Sequence, residues 1–262
     1  MRKLPPMGAL KHALRSTYQN LGFAFHVSWP WMLAILPFNI LGNTYVTLNQ
    51  PADSEEFSLA IVLVSLCVSL LTMIAFSSIA VSWHRYILLD EVPRGVARLR
   101  LDATVWRYIG NILLIIVMGA AASIPLVIVL AALGLMSGKL AAPASVIFAG
   151  AYLLGLITYA YRLSIKLPAI ALGRRDYGFK LALADTAGNG WRFIGFLLLQ
   201  MAIGVMAGGA LAVLALGAGR SDSAIFIAVL VAIDLAINWI ASIWGAAILT
   251  SFYGYFVEGR EF

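Results

Sequence analysis

Residues 57–83 read FSLAIVLVSLCVSLLTMIAFSSIAVSW, and residues 84–108 read HRYILLDEVPRGVARLRLDATVWRY. The first run holds no charged residue. The second holds five arginines. A helix rises about 1.5 Å per residue, so the first run is long enough to cross a hydrocarbon layer about 30 Å thick. A polar side chain inside that layer lacks water to solvate it, so the charges collect where the run ends.

The same alternation recurs on both sides. Five more apolar runs lie at roughly 22–46, 108–136, 144–165, 193–217 and 224–252. The chain is 62% apolar and only 11% charged, whereas a soluble domain carries about 25% charged residues. The sequence therefore predicts an all-α polytopic membrane protein: one domain of six transmembrane helices. Its divisions are an interfacial helix at 1–21, the six-span bundle at 22–252 and a tail at 253–262. Pro30 and Pro37 in the first run and Pro125 in the third predict kinks or breaks.

The connections differ in charge. The segment 49–57, NQPADSEEF, holds Asp53, Glu55 and Glu56 and no base. Sixteen of the eighteen Lys and Arg fall in the N-terminal segment, in the stretches around 84–108 and 161–192, and in the tail. Only Lys139 and Arg220 fall in the other loops. Basic loops stay in the cytoplasm, so both termini are expected there. This bias also accounts for the net charge of +6, which would otherwise suggest a nucleic-acid partner. The expected partners are instead anionic lipid headgroups at the cytoplasmic face, a second copy of the chain or another membrane protein. The N-terminus has no apolar core behind its charges, so no cleaved signal peptide is expected.

Three cytoplasmic segments look alike. Leu10, Ala13 and Leu14 share a face beside Lys11 and Arg15. Val96, Leu99 and Val105 alternate with Arg94, Arg98 and Arg100. Phe179, Leu181 and Leu183 flank Lys180. Each reads as a short amphipathic helix lying in the interface. Each ends at a threonine (Thr17, Thr104, Thr186) before an aromatic lead into the next run, with Trp106 and Trp191 placed as interfacial anchors. Three parallel hairpin repeats are the expectation.

The stretch 161–194, YRLSIKLPAIALGRRDYGFKLALADTAGNGWRFI, resembles a set of six-span bacterial inner-membrane proteins. These are similar to the membrane domain found beside glycerophosphodiester phosphodiesterases and to the YciC-like proteins. The resemblance rests on Arg162, the Leu-Pro-Ala-Ile run, the basic segment and Gly-Asn-Gly-Trp-Arg, with WHRYILLDE as a partial echo. It implies a bacterial inner membrane. The soluble phosphodiesterase domain, which carries that family's catalysis, has no counterpart in these residues.

Few residues invite chemistry. Asp234 lies about ten residues into the last run, where a charge costs at least about 2.5 kcal/mol. Asn238 is one turn away on the same face. Asn39 and Asn43 in the first run are expected at a similar depth, as donors to the Asp234 carboxyl group. The site reads either as a proton or cation pathway in a transporter or as a polar lock between helices. Gln200 reads as a link between helices. Arg162 and Lys166 read either as snorkelling bases or as contacts for an anionic lipid. Gly204 and Gly208 have the spacing of close helix packing. The lone Cys67 forms no internal disulfide, and His12, His26 and His84 are too scattered for a metal site. With no phosphate loop, nucleophile elbow or paired catalytic carboxylates, no enzyme activity and no cofactor are expected. The leading functional expectation is an inner-membrane protein that acts by contact with lipid or a partner.

Overall fold

The computed structural model describes residues 2–49, 58–93, 95, 99–134, 141–218 and 224–262. The regular elements among the described residues are all helices, and the chain is a six-span integral membrane protein. The helices are α1 (Pro6–Gln19), α2 (Leu21–Leu48), α3 (Leu59–Leu89), α4 (Ala103–Gly134), α5 (Ala141–Ser164), α6 (Lys166–Ala171), α7 (Phe179–Asp185), α8 (Gly190–Ala218) and α9 (Ala224–Phe256). The six segments long and apolar enough to cross a membrane lie in α2, α3, α4, α5 with α6, α8 and α9.

These helices outrun the bilayer. α3 has 31 residues, α4 has 32 and α9 has 33, or about 46–50 Å of rise against about 30 Å of hydrocarbon. The apolar runs predict helix ends near 83, 108, 165, 193 and 252. The helices instead continue to Leu89, begin at Ala103, continue through α6 to Ala171, begin at Gly190 and continue to Phe256. Every extension is at the end of the bundle that carries the termini.

That end holds the core, as a collar. One cluster joins Leu4, Ala9, Leu10 and Ala13 to Phe193 and Phe196 of α8 and to Ile248, Phe252 and Tyr253 of α9. The other joins Ala80, Val81 and Trp83 of α3 to Val105, Tyr108 and Ile109 of α4 and to Ile243, Ala246 and Ala247 of α9. α6 supplies residues to both, and α9 stands between them. Outside the collar the apolar side chains face outward; Val146 and Ile147 of α5 are 71% and 72% exposed. Such surface suits acyl chains and not water.

α1 differs from the interfacial helix expected. Ala9, Leu10 and Ala13 are buried between α8 and α9, and only Leu14 of the expected lipid-facing trio is exposed. Small residues at 9 and 13 let this helix come close enough to act as a wedge. α2 packs along α3, and α4 along α5, whereas α8 and α9 are held apart and touch little. The three hairpins are thus not equivalent.

The described part of the second basic stretch shows no separate helix. Leu99 and Arg100 lie outside helices and Val105 is already in α4, while Arg94, Val96 and Arg98 fall outside the described residues, as do Asp53, Glu55, Glu56, Lys139 and Arg220. The closest parallel is between α1 and α7. Thr17 Oγ1 donates to Ala13 O at 2.9 Å, and Thr186 Oγ1 donates to Ala182 O at 2.7 Å, each four residues back and each buried. Thr104 has no such role; its N–H is capped by Asp102 Oδ1 at 2.9 Å. The prolines break nothing: α2 runs unbroken past Pro30 and Pro37, and α4 past Pro125. A transmembrane helix tolerates proline where neighbours re-satisfy the freed carbonyls.

Candidate functional site

The collar carries the polar chemistry. His84 is fully buried between α3, α4 and α9. Its Nδ1 lies 2.7 Å from Thr250 Oγ1, and its Nε2 lies 3.1 Å from Tyr108 Oη. Thr250 Oγ1 donates its proton to Ala246 O at 2.8 Å, so it accepts from His84. A neutral ring protonated at Nδ1 then accepts the Tyr108 hydroxyl proton at Nε2, and all three polar groups are satisfied. Nothing in the local sequence marks this residue as buried, because Arg85 follows it directly. The nearest signal is Ser77, seven residues back and so on the same face of α3, which is buried as well.

His12 reaches the next residue of α9 from the other side. Its Nδ1 lies 2.9 Å from Ser251 Oγ, which itself donates to Ala247 O at 2.8 Å. His12 opens on a polar chamber of about 360 Å³ between α1, the end of α3, the end of α9 and the tail. Arg15, Arg260 and Glu261 share its wall, and the His12 ring lies 5.4 Å from that of Phe262. Burial, and after it the charge of Arg15, holds His12 below its ordinary value of 6.5. The folded state therefore binds the proton less readily than the unfolded chain. Stability is full above about pH 6.5 and falls as the pH drops through the window between 6.5 and the lowered folded value. In detergent, the thermal midpoint of the wild type should drop between pH 7 and 5 more than that of His12→Asn; identical profiles would remove this role for His12.

Ion pairs brace the collar rim. Arg85 Nε donates to Glu91 Oε2 at 2.7 Å, Arg100 Nη2 donates to Oε1 at 2.8 Å, and Arg85 Nη1 also donates to Ala171 O at 2.9 Å. The Arg85 hydrogen bond leads in holding the Glu91 carboxyl below the usual carboxylate range. Asn189, in the Gly-Asn-Gly-Trp-Arg motif, is fully buried. Its Oδ1 accepts from Leu4 N at 2.9 Å and its Nδ2 donates to Arg2 O at 3.0 Å. Arg192 Nη1 donates to Leu4 O at 3.0 Å. The Gly-Asn-Gly-Trp-Arg segment thus clamps residues 2–4, which lead α1 into its wedge.

Arg162 and Lys166 both have protein partners. Arg162 donates from Nε to Thr186 Oγ1 and from Nη2 to Leu183 O, both at 2.9 Å, and so satisfies the C-terminal end of α7. Lys166 Nζ sits 4.0 Å from the centroid of the Phe179 ring. Gln200 links helices as expected: its Oε1 accepts from Tyr161 Oη at 2.6 Å, joining α5 to α8.

The expected polar meeting around Asp234 does not form. Asn39 Nδ2 donates to Ile35 O at 3.1 Å and to Thr72 Oγ1 at 3.5 Å, within the α2–α3 hairpin. Asn43, one turn further along α2, is exposed, and its backbone carbonyl accepts from Thr47 Oγ1 at 2.9 Å. The reason is depth. Phe25 meets Trp239 edge-on, so α2 and α9 are level there. Asn39 is fourteen residues past that level and Asp234 only five, a separation of about 13 Å. Counting residues from each run's own end placed them together because it took the runs as equally long. Asp234 and Asn238 instead line an apolar groove of about 620 Å³ bounded by α1, α8 and α9. Asn238 Nδ2 donates to Asp234 O at 2.9 Å, and among the described residues nothing partners the Asp234 carboxyl group. Gly204 and Gly208 line the same groove and pack against nothing. Cys67 is exposed on α3, and no cluster of metal-ligating side chains occurs among the described residues.

Comparison with protein-family models, with curated proteins and with solved structures finds no match for this chain.

Proposed function

We propose that the protein resides in a bacterial inner membrane with both termini in the cytoplasm. It acts without catalysing a reaction, by holding anionic lipid headgroups at the collar. One observation carries this reading. At the collar end, exposed cations alternate with exposed apolar anchors. The side chains of Lys11, Arg15, Arg107 and Lys180 are exposed and have no hydrogen-bond or ion-pair partner among the described residues, while Leu14, Trp106, Leu181 and Trp191 stand exposed beside them. Headgroup phosphates complement the first set and the acyl boundary the second. The polar chamber beside Arg15 supplies a recess of headgroup size.

This moves the lipid contact away from Arg162, whose guanidinium is occupied by α7. Transport through Asp234 is the weaker reading, because the groove around that residue is otherwise nearly all hydrocarbon. The test is native mass spectrometry of protein extracted from mixed phosphatidylethanolamine and phosphatidylglycerol membranes. Wild type should retain phosphatidylglycerol in excess of its bulk share. The Lys11→Ala, Arg15→Ala, Lys180→Ala triple variant should lose that excess, whereas Arg162→Ala should not. Equal retention by wild type and the triple variant would end the proposal.

A further inference from the structure

Three helices end at the polar chamber of about 360 Å³, and each brings its C-terminal turn. Gln19 and Asn20 line it from α1, Ile87 and Leu88 from α3, and Gly254 and Tyr255 from α9. Helix C-termini carry partial negative charge, so the space between them favours a cation. Two arginines share the wall, Arg15 and Arg260, and the second is already occupied. Arg260 Nε pairs with Glu258 Oε2 at 2.6 Å, and its Nη2 donates to Leu88 O at 3.4 Å.

The wall groups left over have opposite charges. The Arg15 guanidinium has no hydrogen-bond or ion-pair partner among the described residues, and neither has the Glu261 carboxylate. The two do not pair with each other. His12 adds a third free group. Ser251 Oγ gives its proton to Ala247 O, so it accepts from His12 Nδ1, and the lone pair of the neutral ring sits on Nε2. Nε2 has no partner among the described residues. Burial, and after it Arg15, favours that neutral ring.

These three groups discriminate among ligands. A phosphate alone would answer Arg15 but meet Glu261 with like charge. A cation alone would answer Glu261 and the helix ends but leave Arg15 unmatched. A quaternary ammonium has no N–H for either acceptor. A primary ammonium a few bonds from a phosphate answers all three.

We propose that the chamber binds a phosphoethanolamine group. Its phosphate accepts from Arg15, and its ammonium donates to the Glu261 carboxylate and to His12 Nε2. A chamber of this volume lies at the lower end of ligand sites, about 300–1,000 Å³. The headgroup reading above supplies the source, an ethanolamine phospholipid, and the inference rests on it to that extent. Tyr18, 77% exposed, and Leu89, also exposed, adjoin the lining residues Gln19 and Leu88 in sequence and offer apolar surface for the acyl chains.

The test is the thermal midpoint of the full-length protein in mild detergent. Dioctanoyl phosphatidylethanolamine, at about a hundredfold excess over its dissociation constant, should raise it by about 5 °C. Dioctanoyl phosphatidylcholine has the same phosphate and chains but no N–H, and should give less than half that shift. Arg15→Ala and Glu261→Ala, each read against its own lipid-free midpoint, should cut the ethanolamine shift to the choline level. Free phosphoethanolamine separates the sources. An equal shift at equal concentration assigns the chamber to the soluble phosphate ester, and a shift from the lipid alone assigns it to the membrane. No phosphatidylglycerol is present, so the result stands apart from the retention of that lipid proposed above. Equal shifts from the ethanolamine and choline lipids overturn the proposal, and so does a full ethanolamine shift in Glu261→Ala.

Discussion

Replacing His84 by alanine lowers the stability of the folded protein by about 3–5 kcal/mol. Two losses combine. The imidazole fills a fully buried space between α3, α4 and α9, and its removal leaves a cavity. Its two nitrogens are also the partners of Thr250 and Tyr108. Thr250 keeps its bond to Ala246 O, but the Tyr108 hydroxyl is left buried without an acceptor. The pair His84→Ala, Tyr108→Phe should therefore recover part of the loss, since the orphaned hydroxyl is gone. The measurement is the thermal midpoint of purified protein in mild detergent, with Lys11→Ala as an exposed control. A midpoint for His84→Ala within about 2 °C of the control would contradict the buried role.

Asn189→Ala should cost about 2–3 kcal/mol. Residues 2–4 have no helix of their own to satisfy their backbone. Asn189 accepts the Leu4 N–H and donates to Arg2 O, and it is fully buried while doing both. Without it the segment that leads into α1 loses its hold, even though Arg192 still reaches Leu4 O. Leu4 is itself fully buried in the cluster with Phe193 and Phe252, so its release also exposes apolar surface. The consequence is local before it is global. An N-terminal epitope or protease site should be cut several-fold faster in Asn189→Ala, at temperatures where the spans remain folded. Cleavage at the wild-type rate would show that the wedge is held by α1 packing alone.

The spans were legible because hydrocarbon excludes charge, and a charge-free run such as 57–83 is hard to produce for any other reason. The collar was not legible for the same reason inverted. Hydropathy falls where Arg85, Arg107, Arg162 and Arg192 begin, yet the helices continue past these residues. Long basic side chains reach outward from a helix whose opposite face is buried, as Arg85 does beside His84. Burial of His84, Asn189 and Ser251 depends on which helices meet, and no periodicity within one segment reveals that. α1 shows the limit most clearly: Leu10, Ala13 and Leu14 read as an amphipathic face, but the small side chains of Ala9 and Ala13 also suit a tight wedge between two helices. At Asp234 the residue type singled out a costly polar group in an apolar run, and the structure leaves its carboxyl group without a hydrogen-bond partner among the described residues. Its expected partner Asn39 lies about 13 Å further along α2 than the level of Asp234, counted from the Phe25–Trp239 contact.

The central claim is a bundle crossed six times with the collar on the cytoplasmic side. Single-cysteine labelling in a Cys67→Ser background tests it most directly. Asn49→Cys, at the far end of α2, should react with a membrane-impermeant maleimide in intact spheroplasts. Glu261→Cys, exposed beside the chamber, should react only after the membrane is opened. Labelling of Glu261→Cys from outside, or protection of Asn49→Cys until lysis, would contradict the orientation and the lipid-facing role of the collar with it.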